Sequence, residues 1–246
     1  MKNKKNTSAS NKQMLLSQEA PFAYKEAYKL LRANLSFVAS SIKGCKKIIV
    51  SSAMPNEGKS MLSINLAISL SEMGHKVLLI DCDLRNPSVH RYLRIKDRYV
   101  QGLSTILSGQ TELSECLYLH PTYKFNFIVA GMIPPNPNEI LGSTKMELLL
   151  EALSESFDYI ICDAPPVGMV SDALVLSGMT DGVILSVKHG DTKRRQVKAV
   201  KQAFEDVGAN ILGVVLNQCS VKDMREKYDY KKYGYDYVSG YGKTEQ

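Results

Sequence analysis

No apolar run in this 246-residue chain reaches the roughly 18 residues that span a bilayer, so no transmembrane helix is expected. The basic start, MKNKKNTSAS, is not followed by an apolar signal core, so secretion is not expected either. Cys45, Cys82, Cys116, Cys162 and Cys219 contain no CxxC pair and are odd in number. Free thiols in a reducing cytoplasm fit this pattern better than disulfides or a metal site. No zinc pattern or basic helix marks a nucleic-acid binder. No internal repeat and no second domain is visible. The net charge of +6 is compatible with phosphate-rich ligands, nucleic acid or an anionic membrane face, and it selects none of them.

What is present reads as one large α/β domain. Residues 22–39 place apolar side chains at helical spacing ahead of a first strand at 46–51. A helix over 60–73 closes at Gly74, a common C-cap. Residues 76–81, KVLLID, are almost wholly apolar, as in a parallel strand covered on both faces. A short helix at 102–108 and a strand at 125–129 follow. Pro134, Pro135 and Pro137 argue against regular structure in the turn-rich GMIPPNPNE. Further helices are predicted at 139–154, 171–177 and 191–207, and further strands at 159–163, 182–187 and 211–216. This alternation predicts a doubly wound, mainly parallel sheet.

Residues 53–60 read AMPNEGKS, against the phosphate-loop pattern G-x-x-x-x-G-K-[ST]. Ala53 replaces the first Gly, but the strand–loop–helix context supports the match. Loop N–H groups and the positive helix end would surround phosphates. Lys59 would reach the β- and γ-phosphates, and Ser60 would offer its hydroxyl to Mg²⁺. The nucleotide-binding run is therefore Ala53, Met54, Pro55, Asn56, Glu57, Gly58, Lys59, Ser60 and Met61.

Two strand ends supply carboxylates. LLIDCDLRNP carries Asp81 and Asp83, which share a face if the strand continues through Cys82. YIICDAPP carries Asp163. In an open parallel sheet these carboxyl ends face the ligand crevice, near Lys59. Asp163 is a Mg²⁺ candidate. Asp81 and Asp83 are candidates for acceptor base and metal orientation, the plainer alternative being that one caps a helix or pairs with Arg85. Arg85 could neutralise the cluster or touch phosphate. Asn217 could read the edge of adenine or simply end a strand, and the composition also permits GTP.

The last 19 residues hold six of the chain's 13 tyrosines: Tyr228, Tyr230, Tyr233, Tyr235, Tyr237 and Tyr241. They lie among glycines and charges that offer little core. Beside a phosphate loop, they suggest phosphoryl transfer with the chain's own tyrosines as acceptors. An ATPase switch of the MinD/ParA-like type is the alternative, for which water suffices as acceptor.

PNEGKS, LLIDCDLRNP, YIICDAPP, PPNPNEIL, GVVLN and the tyrosine-rich tail together resemble the bacterial protein-tyrosine kinases of capsule and exopolysaccharide synthesis. The resemblance spans about residues 22–241 and implies a MinD/ParA-like P-loop fold acting on ATP and Mg²⁺. It implies that Asp81 accepts the tyrosine proton, Asp83 and Asp163 with Ser60 organise Mg²⁺, and Asn217 recognises adenine. Asn56 stands where the family has Gly, and Asn best tolerates positive φ. Glu26, Lys29 and Arg32 match a family E-x-x-R-x-x-R helix used in ring-like oligomers, with Lys29 in place of Arg. The resemblance further implies a cytoplasmic protein drawn to the inner face of the membrane by an activator with a cytoplasmic tail. A tyrosine phosphatase and other protein substrates are expected partners, and nucleic acid is not. The expected division is a flexible segment at 1–20, a kinase domain with its oligomerisation helix at 21–221, and the tail at 222–246.

Overall fold

The structure, a computed structural model, describes residues 14–95 and 101–219. The amphipathic stretch forms α1 (Phe22–Val38), followed by β1 (Lys46–Ser52), α2 (Lys59–Ser71) and β2 (Val77–Asp81). Three short helices come next: α3 (Val89–Tyr92), α4 (Leu103–Leu107) and α5 (Leu113–Cys116). They lead into β3 (Tyr118–Leu119) and β4 (Asn126–Ile128), then α6 (Pro137–Leu141) and α7 (Thr144–Ser154). The chain continues as β5 (Tyr159–Asp163), α8 (Asp172–Ser177), β6 (Gly182–Lys188), α9 (Arg194–Asp206) and β7 (Ile211–Asn217).

The strands form one sheet in the order β3-β4-β2-β5-β1-β6-β7. Every pairing is parallel except that of β3 with β4. Residues of β5 alternate between two buried layers. Ile160 and Cys162 join Ile49, Ile80, Leu150, Leu176 and Phe204 on the α7–α9 side. Tyr159 and Ile161 join Ile48, Val50, Leu66 and Leu70 on the α2 side. Burial on both faces explains why these strands carry no polar alternation. The register sets Asp163 beside Val50 on one flank and beside Asp81 on the other. That pairing brings the acidic strand ends to one edge of the sheet.

Residues Ser60–Leu70 of α2 are all buried, because α1 packs over the side away from the sheet. Polar residues join the two helices. Asn65 accepts the Leu16 N–H at 2.7 Å, and its amide nitrogen lies 2.8 Å from the Tyr24 hydroxyl. Arg32 Nη1 donates to the Ser69 carbonyl at 2.7 Å. Each satisfies a buried polar group that would otherwise be costly to leave unpaired.

Several expectations change. Over residues 14–20 the chain is tied down rather than loose: Leu16 and Ala20 are buried, and Leu16 is bonded to α2. Pro137 starts a helix instead of preventing one, since an N1 residue needs no N–H donor. The helix expected over 139–154 is two helices. Gly142 closes α6, and the Ser143 hydroxyl caps α7 by accepting the Met146 N–H. The short α3, α5 and β3 were not predicted, being too brief to show a period. Glu26, Lys29 and Arg32 do not act on one open face. Glu26 and Lys29 pair with each other at 2.7 Å, and Arg32 turns inward to α2. The tyrosines at 228–241 lie outside the described residues.

Candidate active site

The loop between β1 and α2 bends through two left-handed residues, Asn56 at φ 64° and Gly58 at φ 82°. Asn tolerates this region, and Gly58 needs it for a second reason. A Cβ there would stand 2.3 Å from Asn217 Nδ2. Glu57 laces the loop from within. Its Oε2 accepts the Ala53 N–H at 2.8 Å and the Met54 N–H at 3.0 Å, while its other oxygen meets the Thr192 hydroxyl. From outside, Ser186 Oγ donates to the Glu57 carbonyl at 2.7 Å, and Gln218 Nε2 to the Asn56 carbonyl at 3.1 Å. Asn217 Nδ2 donates to the Glu57 and Gly58 carbonyls at 3.1 and 3.3 Å. Asn217 Oδ1 accepts the Gln218 N–H at 2.8 Å. The carboxamide expected to read adenine is here engaged in fastening the phosphate loop.

Lys59, at the start of α2, faces the carboxylates. Its Nζ is 2.9 Å from Asp83 Oδ2 and 3.9 Å from Asp163 Oδ1. Burial alone would lower the Lys59 pKa, but Asp163 and Asp83 outweigh it and hold the ammonium charged. Asp83 Oδ1 also accepts the Asn86 N–H at 3.0 Å, which folds the 83–88 loop back on itself.

Asp81 is fully buried. Its Oδ1 accepts the Asp83 N–H at 3.2 Å, and its Oδ2 accepts the N–H groups of Ser88 and Val89 at 3.1 and 3.0 Å. It therefore caps α3, the plainer of the roles open to it. Burial, reinforced by the Asp163 charge, pushes its carboxyl up from 3.8 to about 7. Burial likewise raises Asp163, against the pull of Lys59.

A cavity of about 240 Å³ opens over this cluster, lined among others by Lys59, Ser60, Asp83, Arg85, Arg91 and Tyr92. Asp83 is on its wall; Asp81 and Asp163 lie behind it. Asp163 Oδ2 is fully buried with no hydrogen-bond partner, a cost that a cation or its water would remove. Ser60 Oγ accepts the Ser88 hydroxyl at 2.8 Å. Among the described residues no group of three His, Cys, Asp or Glu could hold a metal by itself. One hydroxyl and two carboxylates suit Mg²⁺, which prefers oxygen ligands and retains water and phosphate oxygens in such sites.

Arg85, expected near phosphate or the acidic cluster, makes a two-point ion pair with Asp172 at the start of α8. Sequence reasoning missed Asp172 because 87 positions separate the partners. It also missed Thr192 and Ser186, whose hydroxyls look unremarkable at strand and helix ends. The Glu57 side chain had a detectable signal: a carboxylate inside a loop of exposed N–H donors.

A phosphate loop after a buried parallel strand, with carboxylates from two other strand ends converging on its lysine, defines a P-loop nucleotide-binding protein. A family model described as an AAA domain matches residues 45–217. The tyrosine-protein kinase CpsD of Streptococcus pneumoniae is 34% identical over 220 residues, covering 89% of this chain and 92% of its own. The tyrosine-protein kinase YwqD of Bacillus subtilis is 33% identical over 209 residues, covering 85% and 86%. The solved kinase domain of the Escherichia coli tyrosine kinase ETK superposes with a TM-score of 0.74 at 31% identity, covering 83% of this chain and 82% of its own. The chain belongs to this family of bacterial tyrosine-protein kinases. MinD of Pyrococcus horikoshii, at 23% identity and a TM-score of 0.60, shares the fold.

Proposed function

We propose that this chain transfers the γ-phosphoryl group of ATP to tyrosine hydroxyls, its own tail at Tyr228–Tyr241 among them, and so regulates capsule or exopolysaccharide synthesis. The observation that carries the reading is the meeting of Lys59, Ser60, Asp83 and Asp163 in a chain of the tyrosine-kinase family.

In this reading the loop N–H groups and Lys59 hold the phosphates and stabilise charge on the transferring group. Ser60, Asp83 and Asp163 would hold Mg²⁺, which when bound supplies charge neutralisation at the phosphate oxygens. A free tyrosine hydroxyl has a pKa of roughly 10, so its proton must leave during transfer. Asp81 is the destination. Asp83 faces the cavity, and Asp81 is shifted to where a carboxylate can hold a proton near neutral pH. Asp81 meets a tyrosine directly only if its bonds to Ser88 and Val89 open.

The working unit is residues 21–221, with 222–246 as acceptor tail. A membrane activator with a cytoplasmic tail recruits it to the inner membrane face, and the exposed Glu26–Lys29 pair of α1 contributes to an oligomer, Arg32 being engaged with α2. Among the described residues no helix is long and apolar enough to cross a membrane, which is compatible with indirect attachment. Each tail phosphate adds about −1.5 to −2 charges, and their repulsion loosens the oligomer. Unchanged particle size by light scattering after full phosphorylation would remove that last step.

The direct test is incubation with Mg²⁺ and γ-labelled ATP, with and without a candidate activator tail, followed by mass-spectrometric mapping. Label on Tyr228–Tyr241 that disappears in Lys59→Met and Asp81→Ala supports the proposal. Phosphate released to water with unlabelled tyrosines, despite the activator, overturns it in favour of an ATPase switch.

A further inference from the structure

The Arg85–Asp172 ion pair is not part of the phosphate loop, yet it touches the same cavity. Asp172 is fully buried at the start of α8. Arg85 Nε and Nη2 donate to its two oxygens at 2.7 and 3.0 Å. Asn138 of α6 adds a bond from Nδ2 to Asp172 Oδ1 at 3.1 Å. Three segments distant in sequence thus share one carboxylate.

A buried charge needs a partner, and the planar guanidinium fork fixes direction as well as distance. The Arg85 backbone lies between Asp83, which holds Lys59, and Asn86, whose N–H bonds back to Asp83. With Nε and Nη2 engaged by Asp172, Nη1 is the remaining donor nitrogen of a side chain on the cavity wall. A lysine in its place would keep the charge and lose the two-point hold.

We propose that Asp172 is a positioning residue for phosphoryl transfer: through Arg85 it anchors the 83–88 loop and keeps Asp83 set against Lys59 and Ser60. The proposal rests on the kinase reading of this site and deepens it. Asp172 touches neither nucleotide nor acceptor in this assignment.

The test uses the full chain with Mg²⁺–ATP and the activator tail. Turnover is read as tyrosine label plus released phosphate, nucleotide affinity with a fluorescent ATP analogue, and folding by thermal midpoint. Asp172→Asn is expected to lower turnover about tenfold or more, the scale of a small misplacement of reacting groups, with a smaller change in nucleotide affinity. Arg85→Lys, at a half-exposed position, is expected to fold and to lose turnover similarly. The neutral pair Arg85→Gln with Asp172→Asn leaves no buried charge unmatched. It should recover the thermal midpoint without recovering turnover. Turnover returning together with the midpoint would reduce the pair to a structural role and overturn the proposal, as would wild-type turnover in Asp172→Asn. A wild-type chain that releases phosphate without labelling tyrosine would instead overturn the kinase reading, and the same comparison of variants would still be read from phosphate release.

Discussion

The phosphate loop and the acidic loop meet at Lys59, but they are held in opposite ways. The phosphate loop is fastened mainly through its backbone: its carbonyls accept from Ser186, Asn217 and Gln218, and Glu57 collects two of its N–H groups. The acidic loop is fastened by charge. Asp81 and Asp83 fold it from within, and the Arg85–Asp172 pair anchors it to α8. Neutral hydrogen bonds contribute about 1 kcal/mol each and are spread over many partners. The Arg85–Asp172 pair, its carboxylate buried and its guanidinium half-exposed, concentrates its contribution at a single point. The phosphate loop should therefore tolerate loss of a peripheral partner, whereas the acidic loop should respond sharply to substitution and to pH.

Lys59 is the place to break both at once. Lys59→Met removes the cation between Asp83 and Asp163 and the donor to phosphate. Turnover should fall roughly 100-fold or more, read as initial rate at saturating ATP. Next in size is Gly58→Ala. A left-handed alanine costs about 1–2 kcal/mol before its contact with Asn217 is counted. Nucleotide affinity should weaken about tenfold in a fluorescence titration, and unchanged affinity would show the loop to be more pliable than its bonds suggest.

The charged half predicts a pH effect of definite sign. Asp81 binds its proton more tightly folded than unfolded, with about 7 against 3.8. Its contribution therefore favours folding at low pH and is lost as pH rises from about 4 to 7. Asp81→Asn should flatten that part of the thermal-midpoint profile, whatever its absolute midpoint. A profile with unchanged slope would shift the effect to Asp163. The smallest effect belongs to the phosphate-loop side. Gln218→Ala removes one exposed bond to Asn56 and should change stability by no more than about 0.5 kcal/mol in urea denaturation.

Much of the architecture was legible because parallel strands have a strong signature. KVLLID read as a doubly covered strand and YIICD as a strand, and β2 (Val77–Asp81) and β5 are buried along their length. Pro137 shows where local reasoning failed: the residue that breaks a helix interior also starts one, and only position decides. The site divides similarly. Lys59, Asp83 and Asp163 were legible because they begin a helix after a glycine loop, closely follow an apolar strand, or end one. Asp172 and Thr192 were not, since a carboxylate or hydroxyl at a helix start looks the same whether it serves the helix or a distant loop.

The amino-acid order by itself determined the doubly wound class, the phosphate loop and the carboxylates gathered at its lysine. These follow from periodicity, from glycine at one position and from the rule that strand ends of an open parallel sheet share an edge. The tertiary structure alone decided how those groups are used. It placed Asp81 behind the cavity and Asp83 on its wall, turned Asn217 and Arg32 inward, and joined Arg85 to Asp172. The reason is that a side chain's partners depend on which elements the sheet order brings together, and contacts made 87 residues apart leave no local mark on the sequence.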